Sequence, residues 1–372
     1  MHNITDHQHV RQLFIGIMSG TSLDGIDAAL VEFIFEKPII LATHWQPYSP
    51  SIKHRALALQ TPGSDEIHQA ATLSNSLAAI YAETVHAVLA KAETASTAIT
   101  AIGCHGQTVR HQPNQGYSLQ LNNPSLLAEI TKIAVVADFR SRDISAGGQG
   151  APLVPSFHAE VFSQPDQHNV ILNIGGFANL TDLNPVKPVR GFDCGPGNVL
   201  MDAWTEANLG LPYDKDGQWA AQGKVLPGLL NRLLDTDFFH LTPPKSCGRE
   251  EFHLAWLEQF LDQSESAEDV QATLAELTAV SATQAIIRWC GKPLGVYVCG
   301  GGVHNMTLMK RLQHYLPRCL ITSTELLGQP PDWVEAVAFA WLARRTVNGL
   351  VGNLPAVTGA SDSRILGAIY PV

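Results

Sequence analysis

The most constraining feature of the sequence is a local pattern that occurs twice, once near the start and once near the middle. Leu13–Met18 is a short apolar run that resumes at Ile26–Phe35 after the small and polar residues SGTSLDG. Asn169–Ile174 is again apolar, and a Gly-Gly turn and the run FANLTDL follow it. Apolar runs separated by such residues predict β-hairpins. Two such hairpins indicate an internal duplication with a boundary near residues 140–150, although two unrelated hairpins would give the same pattern.

Helical periodicity separates the predicted strands. The segment from Ser64 to about Ala90 and the segment Ala267–Cys290 carry apolar residues at helical spacing. Shorter helices are predicted at Pro196–Asn208, at Met306–Tyr315 and from Trp333 to about Asn348. Strands and helices alternate along 372 residues, and a single core stops growing at roughly 250–300 residues. The sequence therefore predicts an α/β protein with two domains.

The charge balance argues against two classes of partner. The net charge is −10, whereas nucleic acids and anionic membranes attract basic surfaces, so neither is expected as a partner. No uncharged apolar run reaches the ~18 residues of a membrane span, and a cytoplasmic protein is predicted. The six cysteines include no C-x-x-C pair, which argues against a zinc framework.

Three glycine-rich loops each follow an apolar run. They contain Gly20-Thr21-Ser22 with Asp24-Gly25, Gly175-Gly176, and Gly300-Gly301-Gly302. Consecutive amides without bulky side chains can approach an anion closely. No GK[ST] follows any of them, so none is a P-loop. Each loop alone could be an ordinary turn, but the three together indicate a nucleotide held between two lobes, with the third loop on the nucleoside side.

Polar side chains are concentrated at other predicted strand ends. Asp193 follows the predicted strand Val189–Phe192, where a carboxylate could deprotonate a nucleophile or merely cap the next helix. The strings CHGQTVRH and DFRSRD suit a ligand rich in hydroxyls, and Arg140 and Arg142 could grip a carboxylate. Two solvated loops with a structural Arg–Asp pair are the alternative. The string PPKSCGREEF is either a movable nucleotide contact or a capped helix start.

Seven strings together resemble the anhydro-N-acetylmuramic acid kinase family, and they span nearly the whole chain in the expected order. They are GIMSGTSLDGID at Gly16–Asp27, GCHGQTVRHQP at Gly103–Pro113, DFRSRDISAGGQGAPLVP at Asp138–Pro155, NIGGFANLT at Asn173–Thr181, GFDCGPGN at Gly191–Asn198, PPKSCGRE at Pro243–Glu250 and CGGGVHN at Cys299–Asn305. The resemblance implies two related actin-like (ribonuclease H-like) domains around a nucleotide cleft, as in sugar kinases, acetate kinase, actin and heat-shock ATPases.

The resemblance also implies how the chain divides. Residues 1–138 and about 330–372 would form the first lobe, with the first phosphate loop and the sugar loops. Residues 139–329 would form the second lobe, with the second phosphate loop, the catalytic aspartate and the adenosine loop.

The implied reaction converts 1,6-anhydro-N-acetylmuramic acid, ATP and water into N-acetylmuramic acid 6-phosphate and ADP, in peptidoglycan recycling. Asp193 matches the catalytic carboxylate, which would take a proton from the attacking water. The implied ATP-binding residues are Gly20, Thr21, Ser22, Leu23, Asp24, Gly25, Ile26, Asp27, Gly175, Gly176, Gly300, Gly301, Gly302 and Asn305. The implied sugar-binding residues are His105, Gln107, Arg140 and Asn198.

Magnesium is expected to accompany ATP. Related kinases often have an aspartate two positions before the loop glycine, but Met18 stands there in this chain. Asp24, acting through water, is therefore the predicted magnesium ligand, with Asp193 as the other candidate. Cys194 and Cys247 also stand where many relatives have threonine.

Two alternatives to the anhydro-sugar kinase stay open from the residues alone. One is an ordinary amino-sugar kinase that phosphorylates an open 6-hydroxyl group. The other is an actin-like or chaperone-like ATPase that binds protein. The expected partners are a small sugar and ATP, and the sequence leaves open whether the chain is a monomer or a homodimer.

Overall fold

The computed structural model describes residues 12–20, 22–262 and 264–372. The strands are β1 (Gln12–Met18), β2 (Gly25–Ile34), β3 (Lys37–Pro47), β4 (Ile99–Cys104), β5 (Gln107–Gln112), β6 (Tyr117–Leu121), β7 (Val135–Ala137), β8 (Asn169–Ile174), β9 (Phe177–Leu183), β10 (Arg190–Pro196), β11 (Gly295–Cys299), β12 (Leu320–Ser323) and β13 (Ala368–Tyr370).

The helices of the same residues vary widely in length. They are α1 (Pro50–Ala58), α2 (Glu66–Lys91), α3 (Pro124–Thr131), α4 (Ser141–Ile144), α5 (Val154–Phe162), α6 (Val199–Leu209), α7 (Pro227–Leu234), α8 (Asp237–His240), α9 (Leu254–Glu258), α10 (Ala267–Ala285), α11 (Met306–Tyr315), α12 (Val334–Val347) and α13 (Pro355–Thr358). A π-helical turn, Ile286–Cys290, continues α10.

The chain divides into two compact units. The first contains the residues up to Ser145 together with Glu335–Gly352 and Arg364–Val372. The second contains Ala146–Val334 and Asn353–Ser363. The sequence analysis placed residues 353–363 in the first lobe, but they group with the second unit. The amide of Gln149 donates to Thr358 O over 2.8 Å, and the amide of Ser361 donates to Ala146 O over 2.8 Å, which ties the segment there.

The sheet of the first unit has the strand order β3-β2-β1-β4-β7-β13. β1 and β2 are antiparallel, as are β2 and β3. β1 is parallel to β4, β4 is parallel to β7, and β13 closes the edge antiparallel to β7. A hairpin that leads into parallel strands requires crossover connections, and α2 and α3 supply them.

The sheet of the second unit repeats this arrangement. Its order is β10-β9-β8-β11-β12. β8 is antiparallel to β9, and β9 to β10, while β8, β11 and β12 run parallel. β8 thus takes the place of β1, and the next four strands take the places of β2, β3, β4 and β7. The predicted fold class, α/β with two related ribonuclease H-like domains, is confirmed.

Each unit buries its own core beneath these sheets. The central strands β1 and β8 are almost continuously apolar because both of their faces are covered. In the first unit, α12 lies so close to the sheet that a Cβ atom at Gly16 would sit 1.8 Å from Ala336 O, and one at Gly103 would sit 2.0 Å from Phe339 O. Glycine at both positions is therefore required by helix–sheet packing.

The structure confirms the two hairpins and the long helices, and it corrects one segment. Asp193 does not end a strand, because β10 continues to Pro196 and α6 begins only at Val199. The predicted helix start at Pro196 was therefore wrong. Across the part of the chain that the structure describes, no helix is both long and apolar enough to cross a membrane.

Candidate functional site

The predicted sugar loops of the first unit meet at one edge of its sheet. Ser19 and Gly20 follow β1, His105 follows β4, and Arg140 lies just beyond β7. These three strands are parallel neighbours, so their carboxyl ends lie side by side, where open α/β sheets bind ligands. The polar loops that follow these short strands thus bring residues that are distant in sequence close together.

His105 links two of these loops. Its Nδ1 atom donates to Ser19 O over 3.2 Å, and its Nε2 atom accepts a hydrogen bond from Arg140 over 2.8 Å. Burial and the neighbouring Arg140 charge lower the pKa of His105 to about 3, so the ring is neutral. The ring of His105 also lies 4.7 Å from that of Phe339. His105 therefore orients the Arg140 guanidinium without competing with it for an anion.

Arg140 is the cationic group of this edge. Burial lowers its pKa to about 10, and the carboxylates of Glu335 and Asp143 act in the opposite direction. Glu335, which the sequence analysis did not single out for the site, is half-buried, and desolvation raises its pKa. Arg142 lies on α4 and is exposed. The two arginines thus have very different surroundings. Of the two that were predicted to bind a carboxylate, only Arg140 is held in place by His105.

The side chain of Gln107 is fully buried and engaged at both ends. Its Oε1 atom accepts from Ser19 Oγ, and its Nε2 atom donates to Gly20 O over 3.1 Å. The structure therefore brings Gln107 together with the first glycine loop, as a group that fixes the loop from inside.

The predicted ATP-binding stretch 20–27 divides by burial. Leu23 and Ile26 are core residues that are at most 1% exposed, so only their backbone atoms are available to a ligand. Asp24 is exposed, and its Oδ1 atom accepts from Ser22 Oγ over 2.5 Å. Asp27 pairs with Met18 within the hairpin. Thr21 was also predicted to bind ATP, but it lies outside the described residues.

The second unit carries its glycine loops at the corresponding edge. Gly175 and Gly176 follow β8, and the loop between β10 and α6 folds onto them. The amide of Asn198 donates to Gly175 O over 2.8 Å, and the amides of Gly197 and Val199 donate to Gly176 O over 2.9 and 3.0 Å. Asn198 Nδ2 also donates to Ile174 O over 3.2 Å. The structure thus places the predicted sugar ligand Asn198 directly beside the second glycine loop.

The three glycines after β11 differ in what surrounds them. A Cβ atom at Gly300 would lie 2.5 Å from Asn173 Oδ1, and one at Gly302 would lie 2.3 Å from Ile174 Cγ2. A Cβ atom at Gly301 would have only Asn198 Nδ2, 3.7 Å away, in its vicinity. Gly300 and Gly302 are therefore needed for packing, whereas Gly301 borders open space.

Gly20 in the first loop and Gly175 in the second share this open environment. A Cβ atom at Gly20 would meet nothing closer than Ser22 Oγ at 3.6 Å, and one at Gly175 nothing closer than Phe177 O at 3.9 Å. Packing does not explain glycine at Gly20, Gly175 or Gly301, whereas the predicted close approach of a ligand would explain it. Asn305 differs from them, because its Oδ1 atom caps α11 by accepting from the amide of Leu308 over 2.9 Å.

Asp193 lies within β10, beside a β-bulge. The register shifts between Asp193 and Gly195, and Gly195 has φ 139°, a conformation that favours glycine. The alternative role as a cap of α6 is excluded, because Asp193 Oδ2 instead accepts from the amide of Cys247 over 3.0 Å. The amide of Asp193 donates to Lys245 O over 3.0 Å. The PPKSCGREEF segment therefore packs against the candidate carboxylate.

This environment makes Asp193 an unusual acid. Burial raises its pKa to about 7, and Glu251 adds to the rise, while the Cys247 amide and Lys245 oppose it. The Lys245 ammonium group is 4.2 Å from the centroid of the Phe238 ring and donates to Phe238 O over 3.0 Å. A carboxyl group that titrates near neutral pH is suited to general acid–base catalysis.

Sequence reasoning missed the polar row beside Asp193. Asn179 lies opposite Asp193 on β9, and Asn173 lies opposite Asn179 on β8. Residues opposite one another on neighbouring strands share a face of the sheet, so the row is continuous. Asn173 and Asn179 each lie between two apolar neighbours in their strands, and this was the available signal.

The predicted magnesium ligand is a single carboxylate. Among the described residues, no three His, Cys, Asp or Glu side chains are grouped as a metal site. Magnesium bound to nucleotide phosphates commonly uses only one or two protein carboxylates and keeps several waters. Asp24 fits that limited role.

A duplicated ribonuclease H-like fold with glycine-rich loops at its strand ends is the arrangement expected of a nucleotide-dependent phosphotransferase. The chain belongs to the anhydro-N-acetylmuramic acid kinase family, whose model matches residues 12–372. A relative of that name from Thiobacillus denitrificans is 54% identical over 367 residues, which are 98% of this chain and 98% of the relative. One from Nitrosospira multiformis is 52% identical over 360 residues, covering 96% of this chain and 98% of the relative.

A solved structure of the activator of 2-hydroxyisocaproyl-CoA dehydratase from Clostridium difficile also aligns with this chain. Its TM-score is 0.48 at 12% identity, over 91% of this chain and 96% of that one. A likeness of that degree supports no conclusion about function.

Proposed function

We propose that the protein is an ATP-dependent kinase that opens 1,6-anhydro-N-acetylmuramic acid with water and phosphorylates it to N-acetylmuramic acid 6-phosphate. The observation that carries the proposal is Asp193, a strand-borne carboxyl group with a pKa of about 7 in a member of this family. Opening the anhydro bridge with water needs a base that takes a proton from the water. An ordinary sugar kinase opens no such bridge and has no attacking water to deprotonate. The product would enter peptidoglycan recycling.

In the proposed reaction, water attacks the anomeric carbon while one of its protons passes to Asp193. The bond between that carbon and the bridging oxygen breaks, and this oxygen attacks the γ-phosphorus of ATP. The bond from the γ-phosphorus to ADP breaks in turn. A base with a pKa near the working pH combines a useful ionised fraction with greater basicity than an ordinary aspartate, which agrees with the raised pKa of Asp193.

The glycines with open surroundings, Gly20, Gly175 and Gly301, are proposed to let backbone amides approach the nucleotide. Magnesium would neutralise charge on the phosphates, and Asp24 would hold it through water. ATP is an intracellular cosubstrate, so the proposal includes a cytoplasmic location.

Arg140 is proposed as the sugar ligand of the first unit, and the predicted ligand His105 is proposed to act through it, because both of its ring nitrogens bind protein groups. The guanidinium group suits the lactyl carboxylate of the substrate because it can bind both oxygens. The neutral His105 ring keeps that guanidinium in place. Gln107 is proposed to act indirectly, since both ends of its amide bind protein groups. Asn198 remains a proposed sugar ligand of the second unit.

The test measures ADP release from ATP and Mg²⁺ with the anhydro sugar, with open N-acetylmuramic acid, and with no sugar. The proposal expects release with the anhydro sugar and a product heavier by one phosphoryl group and one water. In ¹⁸O-labelled water, a rapidly quenched product should carry the label on the anomeric carbon. Preformed product incubated in the same water is the control for exchange.

The alternatives give different results in the same experiment. An ordinary amino-sugar kinase would release ADP with the open sugar but not with the anhydro sugar. A protein-binding ATPase would release ADP at a rate that neither sugar changes. Absence of release with the anhydro sugar would contradict the proposal.

A further inference from the structure

A chain of buried hydrogen bonds runs from the core of the first unit to its glycine loop. Tyr48 OH lies 2.6 Å from Ser19 Oγ, which in turn donates to Gln107 Oε1. Gln107 Nε2 donates to Gly20 O over 3.1 Å. At the inner end, Tyr81 OH lies 3.4 Å from Tyr48 OH. None of the four side chains, Tyr81, Tyr48, Ser19 and Gln107, is more than 8% exposed.

The direction of each hydrogen bond in the chain follows from chemistry. Gly20 O and Thr108 O can only accept, so the group of Gln107 that faces both must be its NH₂ group. Its Oε1 atom then accepts the single proton of Ser19 Oγ. Ser19 has no second proton, so Tyr48 must donate to it. Burial raises the pKa of Tyr48 to about 12, and the phenol keeps the proton that this donation needs.

Tyr48 also holds the other end of the same loop. It directly follows β3, and its backbone amide donates to Asp24 O over 3.1 Å. One residue thus binds the start of the segment 19–24 through its hydroxyl group and the end through its amide. Between these two points, Gly20 borders open space.

We propose that Tyr48 is a positioning residue for nucleotide binding, which clasps both ends of the first glycine loop and fixes its backbone for the phosphates. The inference rests on the proposed kinase function and adds to it a residue that touches neither substrate. A merely structural tyrosine would fill core volume, and phenylalanine would replace it without consequence for either ligand.

The discriminating variant is Tyr48→Phe, which keeps the ring, the volume and the backbone amide but removes the donor. Ser19 can still donate to Gln107, so the variant is expected to fold. The matched control is Tyr81→Phe, which removes the equally buried hydroxyl group at the far end of the chain of hydrogen bonds. Its contact with Tyr48 is long, at 3.4 Å.

The Tyr48→Phe protein should show a KM for ATP raised about fivefold, the scale of one lost hydrogen bond, with the KM for the sugar changed less than about twofold. Tyr81→Phe should change neither constant by more than about twofold. Titration calorimetry with a non-hydrolysable ATP analogue should show the same difference in Kd. If Tyr48→Phe does not fold, Ser19→Ala breaks the same chain and should reproduce the ATP-selective effect.

Equal changes in both KM values, no change in either, or an equal effect of Tyr81→Phe would overturn the proposal. Failure of the kinase assignment would look different. The wild-type protein would then release no ADP with the anhydro sugar, while the Kd comparison for the nucleotide analogue would still decide the role of Tyr48.

Discussion

The two units share one strand order but stabilise their strand-end loops in different ways. In the first unit, side chains from elsewhere in the unit hold the loop after β1: Tyr48, Gln107 and His105 together bind Ser19 and Gly20. In the second unit, backbone amides of the segment 197–199 donate to Gly175 O and Gly176 O and hold the loop after β8. The loop after β11 packs closely against Asn173 and Ile174 through Gly300 and Gly302. A duplicated sheet thus fixes where the loops lie, while the means of holding them has diverged.

The charges at the two edges differ as well. The first unit presents Arg140, oriented by a neutral His105. The second presents Asp193, whose pKa is raised to about 7. A guanidinium group suits the binding of an anion, and a carboxyl group that titrates near neutrality suits proton transfer. We therefore propose that the first edge binds the anionic group of the sugar and that the second edge supplies the proton acceptor, and mutations can test this proposal.

The largest effect is expected for Asp193→Asn. The amide keeps the size of the side chain and can still accept from the Cys247 amide, but it cannot take a proton. The kcat should fall by at least ~10²-fold, the usual scale of general-base catalysis, while the Kd for ATP changes little. Steady-state kinetics and calorimetry with an ATP analogue measure the two quantities.

The matched control is Asp235→Asn, an exposed carboxylate of the same unit that lies 3.7 Å from His240. It should leave kcat unchanged. Near-normal turnover of Asp193→Asn would show that Asp193 is not the catalytic base and would contradict the roles proposed for the two edges.

The glycines of the third loop allow a sharper comparison within a single turn. Gly301→Ala adds a methyl group where nothing is crowded, so the protein should fold normally. If ATP approaches this amide, the KM for ATP should rise about tenfold, and the KM for the sugar should not. Gly302→Ala forces a methyl group to 2.3 Å from Ile174 Cγ2, and overpacking of this kind costs about 1–3 kcal/mol.

Thermal unfolding separates the two glycine variants. Gly302→Ala should lower Tm, and Gly301→Ala should leave it near that of the wild type. A lower Tm for Gly301→Ala, or equal changes in the two KM values, would show that Gly301 is also a packing glycine.

Local pattern predicted the hairpins, the long helices and the glycine loops, because each depends on residues close together in sequence. The position of Asp193 was predicted less well. GFDCGPGN has the composition of a turn, yet the strand continues through it by a bulge and is held by Cys247, 54 positions away. Ser19 is likewise bound by Tyr48, 29 positions away, and by Gln107, 88 positions away. Side-chain pairings of that range leave no periodic signal in a sequence.

The last expected effect concerns stability, and it tests whether the raised pKa of Asp193 lies in the folded state. The folded protein holds this proton up to a pH of about 7, whereas an unfolded aspartate releases it near 3.8. Wild-type stability should therefore fall as pH rises through that interval, and Asp193→Asn lacks this loss. The variant should be the more stable protein at pH 8, by about 2–4 kcal/mol from the size of the shift, which corresponds to a Tm higher by several degrees. The advantage should shrink toward pH 5, where the wild-type carboxyl group is protonated in the folded state. Scanning calorimetry of both proteins at pH 5 and pH 8 measures it, with Asp235→Asn as the control for removing an exposed carboxylate of the same unit. An Asp193→Asn protein that is less stable than wild type at pH 8 would mean that the carboxylate is well solvated, and the second edge would then lack the desolvated base that distinguishes it from the first.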